Sequence, residues 1–123
     1  MLRASLAAAV VGVGALAFTL PALAQGAGLD GLHDKRREGG RICLSDHFHD
    51  GSGSGSGRRQ AEGAAARAWS EFTAWEYGAE WGSYSNAASK SMNCSDSGGS
   101  WQCQASARAC KSGGERVRRR SRD

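Results

Sequence analysis

The 123-residue sequence lacks most of the patterns by which catalysis is recognised. No serine sits in a nucleophile-elbow context, no Cys-x-x-Cys pair offers a redox motif, and no Gly-Lys-Ser/Thr completes a phosphate loop. Gly12-Val13-Gly14 lies inside an apolar run and is no nucleotide loop. A second long apolar run is also missing. The single one, residues 6–20, follows Arg3 and precedes Pro21-Ala22-Leu23-Ala24. It is short for a membrane span and reads as a signal peptide over residues 1–24, with cleavage before Gln25. No cysteine follows it, so a lipid anchor is not expected. These absences point to a secreted or periplasmic chain with a non-enzymatic role.

What remains, residues 25–123, is enough for one small domain, and chains this short often need covalent support. Cys43, Cys94, Cys103 and Cys110 form an even set in an exported chain, so two disulfides are expected. Each contributes about 2–4 kcal/mol. Three pairings are possible. Charge is uneven: residues 25–107 hold 8 Lys or Arg against 10 Asp or Glu, and residues 108–123 hold 7 against 2. The basic character belongs to the tail.

Residues 58–79 carry the clearest pattern. At 100° per residue, Ala61, Ala64, Ala65, Ala68, Trp69, Phe72, Trp75 and Ala79 share one stripe roughly 140° wide. Glu62, Arg67, Ser70, Glu71 and Ala74 lie opposite. Small residues come first and aromatics later, so the first half can approach a partner closely while the second fills deeper space. Each large aromatic side chain, once buried, contributes about 1.5–3 kcal/mol.

Residues 41–49 form a candidate strand through Ile42, Leu44 and Phe48. The alternating Gly and Ser of residues 51–57 read as a flexible connector. Residues 83–95 suit either a strand or a helix extension. Trp101, Cys103, Ala105 and Ala107 alternate with polar residues, as in a half-buried strand. A hairpin centred on Gly98-Gly99 sets Cys94 across from Cys103 and Met92 across from Ala105. That register favours Cys94 with Cys103, leaving Cys43 for Cys110. The expected architecture is a two-layer α+β domain of β-α-β-β order over residues 41–110, one helix packed on a short antiparallel sheet. The Gly-rich residues 25–40 and the basic residues 111–123 are expected to be disordered.

The series Ala61, Ala65, Trp69, Tyr77-Gly78, Trp81, Ala88, Cys94, Trp101-x-Cys103 and Cys110 resembles a family of short exported proteins of alphaproteobacteria. The resemblance covers about half the chain and rests on structural residues. It implies export and paired cysteines, and implies no activity. Members often carry Pro before the last cysteine, where this chain has Ala109.

Among candidate sites the strongest is His47-Phe48-His49 with Asp46 and Asp50 beside it. In a strand, residues two apart share a face about 7 Å apart. His47 and His49 can then share a Zn²⁺ or Cu²⁺ ion, with Asp46 completing or orienting the site. The plainer reading is two polar residues at a strand end. No third histidine has a fixed place, because His33 lies in the loose leading segment. The Gly-Ser stretch ahead of a helix resembles an anion cradle with Arg58 and Arg59, though a solvated linker is the plainer reading. The run from Arg116 to Arg122 can contact an anionic surface by charge. It has no aromatic to stack bases, so specific nucleic-acid binding is not expected. Of four tryptophans, Trp81 is the one expected to be spare and exposed. The sequence as a whole favours a binding or structural module of the cell envelope, acting on an envelope component, with low-affinity metal binding as the alternative.

Overall fold

The structure, a computed structural model, describes residues 27–114. The expected signal peptide, residues 25–26 and the Arg-rich stretch of the tail lie outside the described residues. Order begins where the sequence suggested none. Leu29–Leu32 form a 3-10 turn, and strands β1 (Lys35–Glu38) and β2 (Arg41–Leu44) make a hairpin around Gly39-Gly40. Gly39 sits at φ 64°, a left-handed conformation that a two-residue hairpin turn needs. The expectation of a disordered stretch over residues 25–40 is therefore corrected for its described part.

The Gly-Ser connector is corrected as well. His49–Gly55 is a strand, β3, and it lies under helix α1 (Arg58–Tyr77). Ser52 and Ser54 point to water, while Gly51, Gly53 and Gly55 face the helix. A Cβ on Gly51 would overlap the backbone of Trp69 and Ala65, and one on Gly53 would overlap Ala64 and Ala65. Glycine is here a device for close approach, which a composition-based reading takes for flexibility. Gly51, Gly53 and Gly55 are covered by the helix and have no room for an anion.

The α+β class and the helix-on-antiparallel-sheet layering hold, with a larger strand complement than β-α-β-β. Strand β3 pairs with β5 (Ser100–Arg108), and β5 pairs with β4 (Ala88–Ser97), giving the sheet that α1 covers. A second sheet joins β1, β2 and β6 (Cys110–Ser112). All pairs are antiparallel. The hairpin register is as expected: Cys94 opposes Cys103 and Met92 opposes Ala105. Both disulfides form, Cys94–Cys103 and Cys43–Cys110. Lys111 and Ser112, expected in the tail, belong to β6. No helix among the described residues is long and apolar enough to cross a membrane.

The helix buries a narrower seam than its sequence pattern suggests. Ala61, Ala65, Trp69, Thr73 and Tyr77 are buried, each four residues from the last. Four residues overshoot one turn by about 40°, so the seam walks around the helix and leaves Phe72 and Trp75 behind it. Those two are 45% and 65% exposed and stack on each other at 6.1 Å. Trp69 fills the centre, its Nε1–H donating to the Ala107 carbonyl at 3.3 Å. Trp81 is fully buried, against expectation, with the ammonium groups of Lys35 and Lys111 over its ring at 5.8 and 5.1 Å. A compact turn at Ala79–Trp81 after Gly78 (φ 114°) folds it inward. The spare aromatic surface is Phe72 with Trp75.

Arg108 joins the two sheets. Its guanidinium, 4% exposed, donates to both carboxylate oxygens of Glu38 at 2.6 and 2.7 Å and to the Leu44 carbonyl at 2.6 Å. It also reaches the Ser89 hydroxyl, at the β4 bulge. The Arg108 hydrogen bonds hold the Glu38 carboxyl down at about 2, against an ordinary 4.5.

Candidate metal centre

His33 from the leading segment meets His47 and His49, two residues apart in the chain, at the C-terminal end of α1. His33 follows the first 3-10 turn. The Ser45 N–H donates to the Asp34 carbonyl at 2.9 Å, which zips this segment against the loop carrying His47. The Ala27 N–H donates to the Trp75 carbonyl at 2.8 Å and ties the same segment to the helix. The two imidazoles stack with centroids 4.2 Å apart. His49 opens β3 and faces the helix, its ring 5.1 Å from that of His47.

The helix supplies the other half. Thr73, Glu76 and Tyr77 lie three and four residues apart, on one face. The His49 ring is 4% exposed and stacks on Tyr77 at 4.7 Å. Its Nδ1 is 2.9 Å from the Thr73 hydroxyl and its Nε2 is 2.8 Å from Glu76 Oε2. The Nε2 contact has the length of an ion pair but lacks the alignment of a hydrogen bond. Burial pushes the His49 pKa below 6.5; Glu76 opposes that shift, and His47 and His33 reinforce it. The ring is therefore neutral at pH 7 and carries one N–H. An unprotonated Nε2 would turn its lone pair on the carboxylate, so the proton belongs on Nε2, and Nδ1 accepts from the Thr73 O–H. Burial likewise raises the Tyr77 hydroxyl pKa, and that hydroxyl is buried with no hydrogen-bond partner among the described residues.

One ligand atom each from His33, His47 and Glu76 lie within 4.8 Å of one another. Ligand atoms of a tetrahedral zinc site are about 3.4 Å apart, so the group must contract to close on an ion. Both histidines also line an open cleft of about 250 Å³, together with Leu32, Asp34 and Asp46. This candidate group differs from the set expected from the sequence, His47, His49 and Asp46. His47 keeps its place. His49 keeps its ring 5.1 Å from that of His47 but turns its nitrogens to Thr73 and Glu76; β3 starts at residue 49 and His47 remains in the preceding loop. Asp46 borders the cleft and is outside the ligand group. His33 and Glu76 take their places. The signal for His33 was present: Gly39-Gly40 between two four-residue runs is a hairpin pattern, and a hairpin there fixes the segment before it. Glu76 gave no such signal, since a helix-surface glutamate is commonplace. Comparison with protein families, with curated proteins and with solved structures finds no match to this chain.

Proposed function

We propose that the protein is an exported, disulfide-stapled module of the cell envelope that binds a divalent transition-metal ion through His33, His47 and Glu76, without enzymatic activity. The observation that carries this reading is the convergence of two imidazoles and a carboxylate from three distant segments. The two-nitrogen, one-oxygen set suits Zn²⁺ and Cu²⁺, with Cu²⁺ the tighter. Export is supported by the apolar leader and by the two disulfides. Titration calorimetry of the oxidised mature protein with Zn²⁺ and with Cu²⁺ tests the reading. Micromolar binding that is lost in a His33→Ala/His47→Ala variant is expected. Binding weaker than millimolar, or equal in that variant, removes it.

A further inference from the structure

Three protein ligands leave one position of a four-coordinate metal unfilled. The inner side of the group is closed by Thr73, His49 and Tyr77, all buried. The outer side is the cleft, and His33 and His47 belong both to its wall and to the ligand group. An ion held by the group therefore borders the cleft. Asp34 and Asp46 supply two carboxylates to that wall, and no Lys or Arg lines it among the described residues. The cleft holds several times the volume of an imidazole ring and disfavours an anion. We infer that the metal keeps its open position toward this cleft and takes there a nitrogen donor from outside the chain, of the imidazole class. The donor nitrogen would bind the ion while the ring's N–H faces the carboxylates.

This inference rests on the metal-binding reading, and its test separates the two. The mature protein is first loaded with one equivalent of Cu²⁺, which settles binding by itself. If no ion is taken up, the metal-binding reading fails and this one with it. The loaded protein is then titrated with imidazole and, separately, with acetate, following the visible Cu²⁺ band. Desalting and copper analysis check that the ion stays on the chain. The expected result is a saturable band shift with imidazole while copper is retained. The preference for imidazole over acetate should exceed that of aqueous Cu²⁺ by about tenfold. An Asp34→Asn/Asp46→Asn variant should keep Cu²⁺ and lose most of that excess. A band unmoved by imidazole, copper stripped without a mixed complex, or an excess unchanged in the variant overturns the inference although Cu²⁺ binds.

Discussion

His49 contributes no ligand atom to the group, yet the geometry assigns it work. Its Nε2 is 2.8 Å from the Glu76 oxygen and its Nδ1 is anchored by Thr73. A ligating carboxylate held this way keeps its orientation, and losing such support typically weakens metal binding 10–100-fold. His49→Ala should therefore reduce Zn²⁺ affinity by about that factor, measured by competition with a chromogenic chelator. His49→Gln, which restores an N–H near Glu76, should recover much of the loss. Affinity in His49→Ala equal to that of the unsubstituted protein would show that Glu76 needs no support. At this scale the sequence was half legible. His47 stood out because its neighbours are histidine and aspartate. Glu76 did not, because its meaning comes from His49, twenty-seven positions earlier in the chain and brought near only by the β3–α1 crossing.

Elements were legible where residue volume decides and illegible where its absence decides. Trp101 to Ala107 reads as a strand because large and small apolar residues alternate with polar ones, and Gly98-Gly99 sets its register. The Gly-Ser strand has the same period of two, but glycine carries no hydrophobic mark, so the inward face looks like nothing. The helix misled in the opposite way: Phe72 and Trp75 look like core, but the buried line runs from Ala61 to Tyr77 and passes them by. Gly53→Ala should cost about 3 kcal/mol or prevent folding, because its Cβ meets helix backbone, which cannot swing aside. Ser52→Ala, one residue away on the solvent face, should stay within about 0.5 kcal/mol. Paired urea unfolding curves make the comparison. Similar losses at the two positions would mean that the helix does not sit this close.

The described residues form two small sheets and one α-helix, and the sheets are joined by an ion pair. Glu38 on β1 and Arg108 on β5 bridge the sheets, and the depressed Glu38 pKa gives the sign of the effect. The stabilisation is fully present above the ordinary value of 4.5 and is lost as pH falls through about 2. Glu38→Gln should be less stable at neutral pH and flatter across this acid range, in unfolding followed at stepped pH. A parallel acid limb would place the acid sensitivity elsewhere. The two disulfides each staple strands within one sheet, and they are unequal. Cys43–Cys110 closes a separation of 67 residues and Cys94–Cys103 one of 9. Loop-closure entropy assigns about 4 kcal/mol to the first and about 2.5 kcal/mol to the second. The long bond also holds β2 to β6, while the short one lies inside a hairpin that its turn already closes. Cys43→Ala/Cys110→Ala should therefore destabilise the fold by more than Cys94→Ala/Cys103→Ala, and metal affinity should fall with it, because β2 leads directly into the loop bearing His47. Equal losses in the two variants, or metal binding indifferent to the long bond, would detach the histidine cluster from the framework that places it.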